Sequence, residues 1–157
     1  MDLPIIERLK SELAELQREL AHDLPKRLEE ARAHGDLREN AEYDAAKNRQ
    51  GQLRARIGQI NGRLAELATF SIARIPRDRA AYGSRVTVED LDSGEESEFK
   101  LVFPEEVETG ANTVSISSPI GKALVNKGVG DEVVVQTPSG RRTLSVLALV
   151  TLFDGQS

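Results

Sequence analysis

The chain contains no cysteine and no tryptophan, one methionine, two histidines and 4% aromatic residues. Without a thiol, cysteine nucleophiles, disulfides and thiolate zinc sites are excluded, and the cysteine count leaves the compartment open while fitting a reducing cytoplasm. His22 and His34 add little metal-binding capacity and read most simply as surface residues. Long apolar runs are also missing. The first 25 residues carry Asp2, Glu7, Arg8, Lys10, Glu12, Glu15, Arg18, Glu19 and Asp23, so no apolar signal-peptide core is present, and no later run is long enough to span a bilayer. The expectation is a soluble, cytoplasmic protein with no membrane partner. Excess positive charge is absent too: a net charge of -5 and a pI near 5.2 argue against binding by broad neutralisation of phosphates, and duplex DNA is not an expected direct ligand. No phosphate loop is found, because Gly128-x-Gly130 lacks the Lys and the long helix that such loops need. No nucleophile stands at a readable spacing from a base.

What is present divides by period. From residue 3 to about 70 the apolar spacing is helical: Leu9, Leu13, Leu16 and Leu20 run 4-3-4, and Leu53, Ile57, Ile60, Leu64 and Leu67 run 4-3-4-3. An antiparallel match pairs Ile6 with Leu67, Leu9 with Leu64, Leu13 with Ile60, Leu16 with Ile57 and Leu20 with Leu53. The residue numbers of every pair total 73, so the mirror falls between Asp36 and Leu37. Gly35 is placed to end the first helix in the left-handed conformation. Pro25 predicts a kink near His22, where the leucine stripe shifts to 4-4 spacing, and not a break. Gly51, Gly58 and Gly62 each cost the second helix up to about 1 kcal/mol relative to Ala, so packing across the seam must hold the hairpin.

After about residue 71 the period becomes two: Val86 and Val88; Phe99, Leu101 and Phe103; Val133 and Val135; Leu144, Val146 and Ala148. Asp92-Ser93-Gly94 and Pro138-Ser139-Gly140 are turn sequences between such runs and predict hairpins. Ser118-Pro119 reads as an N-cap followed by Pro at the first helical position, opening a short helix to about Val125. Ile75-Pro76-Arg77-Asp78 follows neither period and reads as a linker. The fold class is α+β with a mostly antiparallel sheet in the second half.

Four features have both a functional and a plain reading. Asp36-x-x-Glu39 has the form of a capping box for the second helix, yet two acids at an exposed tip also suit Mg²⁺, which prefers carboxylate and water oxygens. Alone they would bind it weakly. Beyond that tip, residues 45 to 65 hold Lys47, Arg49, Arg54, Arg56 and Arg63 and no acid. This is either an ordinary solvated face or a shaft that touches RNA or an acidic wall. Tyr43 beside the tip is either packing or a platform for a base. In the second half, Ser115-Ile116-Ser117-Ser118-Pro119-Ile120 suggests a contact surface, although capping chemistry also explains it.

Gly35-Asp36-Leu37-Arg38-Glu39-Asn40-Ala41-Glu42-Tyr43, followed by Ala45-Ala46-Lys47, resembles the tip signature of the bacterial transcript cleavage factors, the GreA/GreB family, on its GreA side. Gly83-Ser84-Arg85-Val86-Thr87-Val88, Ser115-Ile116-Ser117-Ser118-Pro119-Ile120-Gly121-Lys122-Ala123-Leu124 and Thr137-Pro138-Ser139-Gly140 resemble its C-terminal domain. The resemblance implies an antiparallel α-helical coiled-coil hairpin over residues 1–74, with its tip near 35–39, and an FKBP-like α+β domain over 75–157. It implies a monomer that inserts the hairpin into the secondary channel of bacterial RNA polymerase while the C-terminal domain docks at the entrance. Asp36 and Glu39 would act within the polymerase active centre, helping to hold a Mg²⁺ ion only jointly with polymerase, so that the factor is not itself an enzyme. Tyr43, Lys47, Arg49, Arg54 and Arg56 would face the displaced 3′ segment of the nascent RNA, and Ser117, Ser118, Pro119 and Ile120 the polymerase surface. Related factors that occupy the same channel and inhibit cleavage also have acid-rich tips, and Asp44 keeps that alternative open. A prolyl isomerase, which needs an aromatic-lined pocket, is disfavoured, because the second half offers only Tyr82, Phe99, Phe103 and Phe153, spread among strands where core packing accounts for them.

Overall fold

Apolar residues seven apart on one helix can be buried only along a single seam, and the N-terminal unit is built on such a seam. The computed structural model describes residues 3–33 and 40–154, and the chain separates into two units, Met1–Ser71 and Ile72–Ser157. In the first unit α1 (Pro4–Arg18) starts with proline, whose missing N–H costs nothing at that position. A π turn (Glu19–Asp23) and α2 (Leu24–Ala33) extend it, and α3 (Ala41–Ala68) returns alongside. The buried positions of α3 are Ala46, Leu53, Ile60 and Leu67, a strict heptad. Ile57 and Leu64 are half-buried beside them, as are Leu13, Leu16 and Leu20 on the first arm. At the start of α1 the seam departs from the expected phase: Ile5 and Leu9 are buried, whereas Ile6 is half-buried.

The irregularity expected near His22 takes the form of the π turn. Pro25 has no N–H to donate one turn back, and in a regular helix its ring would press on the carbonyl four residues earlier. The preceding turn widens instead, with the Leu24 N–H bonded to the carbonyl of Glu19. That extra residue absorbs the drift that a 4-4 spacing would cause in an α-helix. Leu24 is therefore 0% exposed and packs with Ala46 and Leu53, flanked by Leu16, Leu20 and Leu28.

The second unit is a five-stranded sheet in the order β3-β2-β1-β5-β4, with β1 Arg85–Asp90, β2 Glu96–Val102, β3 Thr113–Ser115, β4 Glu132–Thr137 and β5 Gly140–Val150. Every pairing is antiparallel except β2 with β3. Val86, Val88, Leu101, Val133, Val135, Leu144 and Val146 meet on one face, which Leu124 of α4 (Pro119–Leu124) and Ala80 close. Both predicted hairpin turns form. In the first, the Asp90 carboxylate accepts from the Asp92 and Ser93 N–H groups at 2.9 and 3.3 Å, and Gly94 adopts φ 76°. The period-two pattern fails where β1 meets β5. β1 and β5 pair Thr87 with Ala148 but Val88 with Val146, so Leu147 is an extra residue in a bulge. The bulge turns Ala148 outward and Leu149 toward the core, contrary to the expected alternation. Phe103 is buried but lies one residue beyond β2, at the start of a 3-10 turn (Pro104–Glu106). Among the described residues no helix is long and apolar enough to cross a membrane.

Candidate functional site

The hairpin end is organised by a residue whose role the sequence pattern assigned elsewhere. α3 begins at Ala41 and its N-cap is Asn40, extended at φ -85° and ψ 90°, with Oδ1 accepting from the Tyr43 N–H at 3.0 Å. The capping box expected at Asp36 and Glu39 is therefore not the cap of this helix. The third helical residue is Tyr43, and Asp36 and Glu39 themselves lie outside the described residues, as do His34 and Gly35. Asn is among the strongest N-caps, so the signal was present at Asn40 but overlapped a second one four residues earlier. The Asn40 carboxamide also donates through Nδ2 to the carbonyl of Ala31 in the last turn of α2. One side chain thus serves both arms of the hairpin.

Beside the cap, Tyr43 is half-buried, with the Arg32 guanidinium 5.8 Å and the Lys47 ammonium 5.9 Å from its ring centre. These distances lie near the outer limit for a cation on an aromatic face. Arg32, from the opposite arm, was not anticipated, because pairing across a seam is not visible in local sequence. Further along, the basic residues of α3 differ in their surroundings. Arg49 grips Glu19 through two hydrogen bonds of 2.7 and 2.9 Å, and Arg56 grips Glu12 through two of 2.8 and 3.0 Å. These fork-to-carboxylate pairs repeat at one heptad on both arms and match the antiparallel register on one flank. Hydrogen bonding to the guanidinium groups holds the Glu12 and Glu19 carboxyls below their ordinary value and raises Arg49 above its own. Lys47 and Arg54, also on α3, are exposed. Among the described residues no group of three or more His, Asp or Glu side chains is gathered to hold a metal ion.

In the second unit the segment ahead of α4 is held by its own hydroxyls. Ser118 Oγ donates to the Ser115 carbonyl at 2.6 Å and accepts from the Gly121 N–H at 3.1 Å, and Ser115 Oγ accepts from the Ser117 N–H at 3.0 Å. Gly121 is required by space, since a Cβ there would lie 1.9 Å from the Ser115 carbonyl oxygen. This frame leaves Ser117 and Pro119 exposed, with Ser118 and Ile120 half-buried and Ile120 packed on the sheet core. Behind Ile120 is a cavity of about 60 Å³ lined by Val88, Phe99, Val135 and Leu144, with Asp90 paired to Arg142 at 3.3 Å. It is well below the roughly 300–1,000 Å³ of a typical small-molecule site and has one aromatic wall. Elsewhere in this unit, Tyr82 donates to the Glu106 carboxylate at 3.0 Å and stacks on Phe103 with ring centres 4.3 Å apart. Burial, then the bond to Glu106, pushes the Tyr82 phenol well above its ordinary range.

Comparison with known proteins bears on both units. Residues 5–68 match the family model described as transcription elongation factor, N-terminal, and residues 75–150 that described as transcription elongation factor, GreA/GreB, C-term. Transcription elongation factor GreA of Syntrophobacter fumaroxidans is 43% identical over 143 residues, spanning 91% of this chain and 92% of the relative. That of Desulfotalea psychrophila is 42% identical over 144 residues, spanning 92% and 89%. Among solved structures, GreA factor homolog 1 of Thermus thermophilus is 29% identical over 92% of this chain and 93% of that one, with a TM-score of 0.41. Two matched domains in the right order, together covering most of the sequence, establish that the chain belongs to the GreA/GreB family of transcription elongation factors.

Proposed function

We propose that this factor binds bacterial RNA polymerase, enters its secondary channel with the helical hairpin acting as a coiled coil, and stimulates the polymerase's own cleavage of backtracked nascent RNA. The reading rests on the family and on one observation: the N-cap of α3 is Asn40, at the end of a helical pair and directly after Asp36-Leu37-Arg38-Glu39 in sequence. Capping α3 therefore does not fall to Asp36. Two carboxylates three residues apart match the hard-oxygen preference of Mg²⁺, and two alone bind it weakly. Asp36 and Glu39 would supply oxygen donors to a site whose remaining ligands belong to polymerase, and would orient the attacking water. A Mg²⁺ ion held there supplies Lewis-acid and water-activating chemistry for phosphodiester hydrolysis. The factor alone should show no nuclease activity.

Of the basic residues on α3, Lys47 and Arg54 are the better candidates for contact with the displaced RNA, with Tyr43 beside them. Arg49 and Arg56 already hold Glu19 and Glu12, so an RNA phosphate would have to compete with a two-bond ion pair. The C-terminal unit, read as FKBP-like, would dock at the channel entrance through the exposed Ser117 and Pro119 on their rigid frame, with Ser118 and Ile120 behind them. The protein would act as a cytoplasmic monomer.

The experiment is a cognate polymerase halted in a backtracked state with Mg²⁺, to which the factor is added. Release of short 3′ RNA fragments supports the reading. Competition against a known cleavage factor without any fragment release would instead mark an inhibitory channel binder, the second reading, which the exposed acids Glu42 and Asp44 in the first turn of α3 favour.

A further inference from the structure

We propose that Asn40 is a positioning residue for the tip, tying the two arms of the hairpin together at the ends of the stretch that contains Asp36 and Glu39. An ordinary N-cap only accepts, and Ser, Thr or Asp would serve. Here the carboxamide works in both senses: Oδ1 accepts from the Tyr43 N–H on α3, and Nδ2 donates to the Ala31 carbonyl on α2, nine residues away in sequence. Asn is the shortest side chain that carries an acceptor and a two-proton donor on one planar group, so the double role specifies Asn and not merely a cap. Ala31 is itself 2% exposed and Ala46 1%, so the arms are in contact on the hairpin side of this tie. Asp36 and Glu39 both fall, in sequence, between the two anchored points. A cleavage site shared with another protein needs its donors well placed, and the Asn40 tie joins the two points of the chain, Ala31 and Asn40, between which those donors fall in sequence.

The inference rests on the cleavage reading, and its test separates the two. Asn40→Asp keeps the acceptor for the α3 amides and removes the donor to Ala31; Asn40→Ala removes both; Asp36→Asn leaves Asn40 intact. Each full-length variant is assayed for fragment release from backtracked complexes at saturating factor, for affinity to polymerase by competition, and, without polymerase, for amide hydrogen exchange over residues 28–33 and 40–46. For Asn40→Asp the expectation is a maximal cleavage rate reduced at least tenfold, affinity within about twofold of the parent, retained protection at the Tyr43 amide, and faster exchange at the end of α2. Asn40→Ala should lose protection at both places. If Asn40→Asp cleaves at the parental rate while Asp36→Asn does not, the positioning role is wrong and the cleavage reading stands. If Asp36→Asn also cleaves like the parent, the cleavage reading itself fails and takes this inference with it. Loss of affinity in step with rate would mark Asn40 as merely structural and would equally overturn the proposal.

Discussion

Gly121→Ala gives a severe test of how the segment ahead of α4 is built. The added Cβ would lie 1.9 Å from the Ser115 carbonyl oxygen, 2.9 Å from its carbon and 3.0 Å from Ile116 Cα, all backbone atoms with no side-chain freedom to yield. Relief requires a backbone shift of about 1 Å in a close-packed region. That carbonyl accepts from the Ser118 N–H at 3.0 Å and from Ser118 Oγ at 2.6 Å, so the shift strains or breaks both bonds. Over-packing costs about 1–3 kcal/mol and two net hydrogen bonds about 1 kcal/mol each. The sum, about 3–5 kcal/mol, is at the upper end for one substitution. Urea unfolding can follow the sheet through Tyr82 fluorescence in a Tyr43→Phe background, and the helices through circular dichroism. With a slope of about 1–3 kcal/mol per molar urea, the sheet midpoint should fall by about 2 M. A parental midpoint for Gly121→Ala would refute the description of this frame.

Other substitutions probe different parts of the molecule. Gly58→Ala should move stability the opposite way, raising that of the hairpin by up to about 1 kcal/mol, because an added Cβ there meets nothing within 4 Å and Ala is the better helix former; thermal melts followed by circular dichroism check it. Leu124→Ala should destabilise the sheet unit by about 2–5 kcal/mol in urea, since Leu124 is 0% exposed where α4 meets the sheet. Combined Arg49→Met and Arg56→Met should lower hairpin stability at neutral pH but not at a pH low enough to protonate both carboxyls of the folded protein. The Glu12 and Glu19 carboxyls are lowered by these partners, so their contribution is present above the ordinary carboxylate range and is lost as pH falls through the folded-state values. In an alkaline absorbance titration Tyr82 should stay protonated well past pH of about 10, because its phenol is raised; its stabilisation is complete below that pH and disappears as pH climbs through the folded-state value.

Local patterns proved most legible. The helical stripes, the turn at Asp92-Ser93-Gly94 and the Ser118-Pro119 cap depend on neighbours in sequence, and apart from the change of phase at Ile5 they appear where the spacing put them. What escaped depended on partners across a seam. The bulge at Leu147 arises from β5 pairing with β1, so the outward turn of Ala148 had no signature within β5 itself. The π turn was legible only as a shift to 4-4 spacing near Pro25, because its form depends on keeping Leu24 against Ala46 and Leu53. At the tip, two N-cap signals overlapped and the helix takes the later, Asn40, which has a second bond to Ala31 to favour it. The basic character of α3 was plain from composition, but composition could not show that Arg49 and Arg56 face acids on the first arm while Lys47 and Arg54 remain exposed.

The most direct measurement compares the parent with Asp36→Asn on one backtracked polymerase complex in Mg²⁺, counting released 3′ RNA fragments while competition confirms equal binding. A tip that completes a shared metal site predicts fragments from the parent, few or none from the variant, and none from either protein without polymerase. Equal fragment yields from parent and variant would contradict it.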